Sequence, residues 1–236
     1  EITAASEVMA VLCLSKSFTE LKARLNRIIV GYDYLGKPIF VRDIGVSGAM
    51  AALLKHALSP NLVQSVEGVP VFVHGGPFAN IAHGCNTIIA TGMALKLSDY
   101  TVTEAGFGAD LGAEKFFHIT CRTGGLTPAA AVLVVTSRAY ALHSIGNIGK
   151  HLDTLSRFGV PVMVSINRFA TDRNEDLLDL KSRIGDLGVD AVITDFREGG
   201  GEGGLELAEK VVELCEIPSR FRMLYDLEAG ICEKVR

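Results

Sequence analysis

Five short apolar runs, near residues 70–74, 100–104, 131–136, 160–166 and 191–195, alternate with segments of helical periodicity, and this alternation constrains the fold more than any other feature. Ala131-Val132-Leu133-Val134-Val135-Thr136 is the clearest run, because dense β-branching without polar alternation suits a strand covered on both faces. Strands alternating with helices predict an α/β protein with a mostly parallel sheet and flanking helices. Polar and glycine-rich stretches follow the carboxyl ends of these runs, where ligands bind in an open parallel sheet. The expectation is an enzyme whose site residues converge on one sheet edge.

Residues 1–65 read as a short helical and hairpin region. Thr3 or Ser6 caps a helix carrying Val8, Val11 and Leu12, and Ser17 opens another through Leu21, Leu25 and Ile28. Extended runs at 28–34 and 39–43 flank a Leu35-Gly36-Lys37-Pro38 turn, and Ser47 begins a helix through Leu54 and Ala57. Residues 66–145 read as the core α/β units and 146–236 as a second α/β domain. In that domain 146–158 and 205–215 are expected helices, and Asp172 or Asn174 caps another through Leu177, Leu180 and Ile184.

A chain of 236 residues, 48% hydrophobic and 21% charged, has enough apolar surface for one sizeable core or two modest ones. A net charge of −4 gives no footprint for nucleic acid, so no nucleic-acid partner is expected. No apolar run is long enough to span a bilayer and no signal core opens the chain, so a cytoplasmic protein without a membrane partner is expected. Cys13, Cys85, Cys121, Cys215 and Cys232 show no CxxC spacing and are odd in number, which predicts free thiols. No residue is assigned to a metal, because no cysteines or histidines fall at zinc-ligand spacing.

Two glycine-rich loops stand out, HGGPFANIAHG over 74–84 and EAGFGADLG over 104–112. The first follows the run Val69-Pro70-Val71-Phe72-Val73 and leads into helical spacing predicted over 81–97. HGGPFANIAHG and TEAGFGADLGAEKFF, over 103–117, resemble the formate–tetrahydrofolate ligase family. The likeness continues through Ala5-Ser6-Glu7-Val8-Met9-Ala10, Pro60-Asn61-Leu62-Val63-Gln64, Phe158-Gly159-Val160-Pro161 and 201–210, and corresponds to the middle and later part of the family's pattern. It implies a fold related to P-loop NTPase-like folds and a homo-oligomer. It also implies a reaction in which ATP phosphorylates formate and the amine of tetrahydrofolate attacks the formyl phosphate, giving 10-formyltetrahydrofolate. Formate, ATP, magnesium and tetrahydrofolate are the implied ligands, with a monovalent cation to which no residue is assigned.

That chemistry needs donors for phosphoryl oxygens, charge balance and flat apolar surfaces. Gly75 and Gly76 can present backbone N–H groups, and a helix beginning near Asn80 adds a positive dipole end. Asn80 and His83 share a helix face in this reading and are the catalytic candidates. His83 either donates to a phosphate or moves a proton, or else fills a partly buried polar position. His74 is a weaker candidate, because a strand end can leave it bonded to a neighbouring carbonyl. Glu104, Gly106, Phe107, Gly108 and Asp110 complete the nucleotide candidates, with Glu104 and Asp110 reaching magnesium–phosphate directly or through water. Alternatively Asp110 caps the next helix. Lys115 neutralises phosphate or is a solvated helix charge.

Asn167, Phe169 and Phe196 are the folate-binding candidates, the two aromatics offering faces to a flat ring. Ala170 stands where the family has proline, and Phe196 where it usually has tryptophan. If both phenylalanines were buried core, a nucleotide-binding module unrelated to folate would follow. The family's GxxxxGK[ST] phosphate loop does not occur in these residues, 143–148 is shorter than usual, and the chain stops shortly after Leu224-Tyr225-Asp226. These departures predict a fragment, a chain missing internal segments, or one subunit of a split ligase assembled with a phosphate-loop-bearing chain. A non-catalytic, ligase-like subunit is the alternative.

Overall fold

The computed structural model describes residues 2–78 and 82–235. The chain forms two compact units, Glu1–Phe107 with Leu111–Leu126, and Gly108–Asp110 with Thr127–Arg236. Each has its own hydrophobic cluster.

In the first unit the expected caps form. Ser6 accepts the Val8 N–H at 3.1 Å to start the helix Glu7–Leu14, and Ser17 accepts the Glu20 N–H at 3.2 Å to start Phe18–Leu25. Glu20 returns the bond by accepting the Lys16 N–H at 2.9 Å, so the second helix start is closed from both sides. Leu12, Leu21, Leu25 and Ala51 bury the facing stripes of these helices and of Ser47–Leu53. The hairpin β1 (Ile29–Tyr32) and β2 (Pro38–Phe40) turns on Gly36, with Asp33 accepting the Leu35 and Lys37 N–H groups. Its second arm is shorter than the expected 39–43. The Asp43 carboxylate takes the Phe40 N–H at 2.8 Å, and Val41–Ile44 turns into a helix.

Two expected strands of the parallel sheet are not in one. β4 (Pro70–Val73) pairs antiparallel with β3 (Asn61–Gln64), because 65–69 is a tight turn with Gly68 at φ 83° and too short for a crossover. Residues 100–104 form no strand, since Thr101, Val102 and Thr103 have β-branched side chains but no neighbouring strand to pair with. The helix expected over 81–97 spans only Ile88–Leu97. Gly84 at φ 62° interrupts helical geometry, and the Thr87 side chain accepts the Ala90 N–H as the true cap.

The second unit is the α/β part. β5 (Ala131–Val135), β6 (Val162–Asn167) and β7 (Ala191–Thr194) form a three-stranded parallel sheet in the order β5-β6-β7. The helical span Ser137–Arg157 and the helix Asn174–Gly185 bury Ile148, Leu152, Leu177, Leu180 and Ile184 in one cluster with Val135, Val164, Ile166 and Ala191. Each such side chain contributes on the order of 1.5–3 kcal/mol by burial. The helix Leu205–Cys215 packs against β6 and β7. The sheet interior holds one polar pair, and its cost is offset because Ser165 and Thr194 hydroxyls bond each other at 3.0 Å.

Asp172 is not a helix cap, and neither is Asn174, which lies inside the helix. The helix starts after Arg173 without a side-chain cap. The Asp172 carboxylate instead accepts the Ser137 hydroxyl at 2.7 Å and the Phe169 N–H at 2.9 Å, tying the loop after β6 to the helix after β5. The span Ser137–Arg157 is two helices that meet at a kink at Ser144, with φ 64° and ψ 173°, the one non-glycine residue with positive φ among the described residues; the second of them agrees with the helix expected over 146–158. Ser144 lies within 143–148, the segment read as short, and glycine adopts this backbone far more readily than serine. Ser144→Gly is therefore expected to stabilise the protein by about 1 kcal/mol in urea unfolding.

Candidate functional site

The glycine loop after β4 is built on contacts that only glycine permits. Gly75 has φ 71°, and a Cβ there would lie 2.5 Å from Cys13 Sγ and 2.7 Å from Thr87 Cγ2. Beside it His74 is buried. Its Nε2 donates to the Ala57 carbonyl at 2.7 Å, so in the neutral ring Nδ1 accepts the Thr87 hydroxyl at 2.7 Å. The strand-end alternative thus describes His74, whose ring ties β4 to the cap of the helix Ile88–Leu97. Gly76, at φ 140°, is exposed and helps support Cys13 through a backbone hydrogen bond.

His83 is only 1% exposed, and its Nε2 has no hydrogen-bond partner among the described residues. Burial pushes its pKa down to about 4, so the ring is neutral near pH 7. It does not lie on a helix, which corrects the shared face expected with Asn80. Asn80 itself lies outside the described residues. An unpartnered imidazole nitrogen costs stability where it sits.

Three buried thiols surround this loop's supports. Burial raises the pKa of Cys13, takes Cys85 up to about 11 and takes Cys121 up to about 12. Cys85 shares a 3.2 Å contact with the Thr120 hydroxyl. All five cysteines are free, and the three buried ones remain thiols rather than thiolate ligands or nucleophiles at neutral pH.

The second glycine loop is divided between the units. In the first, Gly112 donates its N–H to the Phe107 carbonyl at 3.0 Å, and a Cβ on Gly112 would meet the Gly106 carbonyl carbon at 2.5 Å. Gly106 has φ 96°, Phe107 is 80% exposed, and Glu104 is exposed. In the second, the Ala109 N–H donates to His151 Nδ1 at 3.3 Å. An Nδ1 that accepts this bond carries no proton, so the 3.6 Å approach of Asp110 to the same atom is not an ion pair in that tautomer. Gly108, at φ 62°, leaves room for the exposed Asp110 carboxylate. Gly108–Ala113 and Phe116–Cys121 are wide π-helical turns. Asp110 lies inside the first and does not cap an ordinary helix. Among the described residues no three His, Cys, Asp or Glu side chains come together to hold a metal ion.

The folate candidates all lie in the second unit, at the carboxyl edge of the parallel sheet. Asn167 of β6 pairs in register with Thr194 of β7, and Phe169 and Phe196 each follow two residues later. Neither phenylalanine is core. Phe169 is half-buried under the Arg138 guanidinium, whose carbon lies 4.2 Å from the ring centroid, and Phe196 is 47% exposed. Phe196 packs against Gly204, where a Cβ would strike the ring, and Asp195 caps its short helix by accepting the Glu198 N–H. Cys13, Thr87 and Arg138 escaped the sequence reading. Thr87 carried a signal, a capping residue ahead of IIATGMALKL; Cys13 and Arg138 carried none before the fold placed them.

Aromatics and arginines at the carboxyl edge of a three-stranded parallel sheet in one unit, and a glycine loop seated on Cys13 and Thr87 in the other, belong to a chain of α/β class. The family model for formate–tetrahydrofolate ligase matches residues 1–236, and the chain belongs to this family of carbon–nitrogen ligases. It is 50% identical over 253 aligned residues to a formate–tetrahydrofolate ligase of Symbiobacterium thermophilum. That alignment covers 99% of this chain and 46% of the relative, so the chain spans about half the relative's length.

Two outcomes follow. Gly75→Ala is expected to destabilise the first unit by about 1–3 kcal/mol through backbone strain and overpacking, and Cys13→Ala to recover only part, since the Thr87 contact stays; chemical unfolding of both variants and the double variant measures this. His83 has a folded pKa of about 4 against an ordinary 6.5. The unfolded chain therefore takes up a proton first. The stability from keeping His83 neutral is fully present above pH 6.5 and is lost as pH falls towards 4, by roughly 3 kcal/mol at most. Urea unfolding between pH 7 and 4 should show that decline, and His83→Gln should flatten it.

Proposed function

We propose that these residues take part in the ATP-dependent ligation of formate to tetrahydrofolate. The observation that carries this is the 50% identity to a formate–tetrahydrofolate ligase across 99% of the chain. In the proposed sequence, a formate oxygen attacks the γ-phosphorus of ATP and ADP leaves. The tetrahydrofolate amine then attacks the formyl carbon, phosphate departs and the amine loses a proton. A relation of the sheet to P-loop NTPase folds belongs to the same reading.

The glycine loop with Gly75 and Gly76 supports a role in receiving phosphoryl oxygens, as does the unpartnered His83. Because burial holds His83 neutral, it acts as a hydrogen-bonding group and not as a fixed positive charge. Glu104, in the first unit, and Asp110, in the second, each present an exposed carboxylate, and each by itself is suited to meet magnesium–phosphate through water. Asn167, Phe169 and Phe196 supply the folate side, where the exposed Phe196 ring and the half-buried Phe169 ring beneath Arg138 offer aromatic surface to a flat pterin.

The phosphate loop GxxxxGK[ST] is absent from these residues, so the complete nucleotide site is assigned to the assembled ligase. The chain mixed with a polypeptide carrying that loop should release ADP when formate is present, and should turn over repeatedly when tetrahydrofolate is added as well. No gain in ADP release on mixing would count against the reading.

A further inference from the structure

We propose that the Arg138 guanidinium binds the glutamate carboxylates of the tetrahydrofolate molecule whose ring lies against Phe169 and Phe196; this rests on the folate reading above. Arg138 stands in the first turn of the helix that opens at Ser137, directly after β5. Its guanidinium carbon lies 4.2 Å from the Phe169 ring centroid, and its Nη2 donates to the Thr171 hydroxyl at 3.2 Å. The ring contact and one neutral acceptor hold the guanidinium in place while leaving other N–H donors of this exposed residue open.

Arg138 pairs its guanidinium with an aromatic ring and, among the described residues, with no carboxylate, whereas Arg42, over Phe40, also meets Asp43. Arg24, Arg157, Arg173 and Arg183 each pair with an acid on their own helix face. Among the described residues Arg138 forms no ion pair, and neither does Arg168, which precedes Phe169 and donates to the neutral Asn174 side chain. The acid of this loop, Asp172, has one oxygen on the Ser137 hydroxyl and the other on the Phe169 N–H. The edge that offers aromatic surface thus also offers a planar cation with open donors, which matches a ligand joining a flat ring to a carboxylate. Tetrahydrofolate is such a molecule, and its glutamate is the part a ring-stacking residue alone would not read.

The test compares calorimetric affinities of the chain and of Arg138→Gln for tetrahydrofolate and for tetrahydropteroate in its primary amide form, which carries neither the glutamate nor a free carboxylate, with ATP and adenosine as a second pair. The chain should prefer tetrahydrofolate over the amide by about tenfold, the worth of one charge-assisted pair at an open site. Arg138→Gln should abolish that preference and leave binding of the amide unchanged, while Arg138→Lys should retain part of it. Thermal melting checks the fold, and the Lys variant serves if the Gln variant does not fold. Equal weakening of both folates, or no change, overturns the proposal. Loss of an ATP-over-adenosine preference with the folate preference intact overturns it in favour of nucleotide phosphate. If the unmodified chain binds neither folate, the folate reading itself fails, and the proposal with it.

Discussion

The parallel pairing of β6 with β7 is the constraint on which the second unit's candidate site depends. It sets Asn167 opposite Thr194, so the loops that carry Phe169 and Phe196 leave paired strand ends at the same level although the two residues are 27 apart in sequence. A one-residue slip would turn every buried side chain of β7 to the opposite face. The Ser165–Thr194 hydrogen bond guards against this, because either hydroxyl left unpaired in the sheet interior would cost about 1–3 kcal/mol. Asp172 extends the same order outwards by holding the loop after β6 to the helix after β5, which brings Arg138 over Phe169.

The first unit solves a different problem, that of keeping polar backbone open in an apolar setting. Its glycine loop is seated on Cys13 and Thr87, two small groups that leave no room for a Cβ at Gly75. His74 then uses both ring nitrogens to fasten the strand end, and His83 uses at least one fewer. The same residue type therefore has two fates within one motif. A histidine with both nitrogens satisfied is a structural tie, whereas His83 is buried and neutral with its Nε2 unpartnered among the described residues.

Much of the local architecture was legible in the residues. Ser6 and Ser17 cap helices as their hydroxyls and the following apolar spacing require, and β5, β6 and β7 follow from dense β-branching bounded by polar loops. Val69 to Val73 and Tyr100 to Glu104 have the same apolar character, yet one became half of a hairpin and the other no strand at all. Strand propensity states only that a segment suits a pleated surface; whether a partner lies beside it is a long-range matter. The helix start at Ile88 also escaped notice, because Gly84's left-handed backbone is invisible in a periodic apolar pattern that runs straight through it.

The sequence by itself determined the family, the α/β character of the second unit, the free thiols and the identities of both glycine loops, since these rest on local order and residue chemistry. Tertiary structure alone decided that His74 is spent and His83 is not, that Cys13 underlies Gly75, and that Arg138 shields Phe169 without a counter-charge. Those distinctions depend on which groups fill the remaining valences of a buried atom, and such partners come from residues distant in the chain.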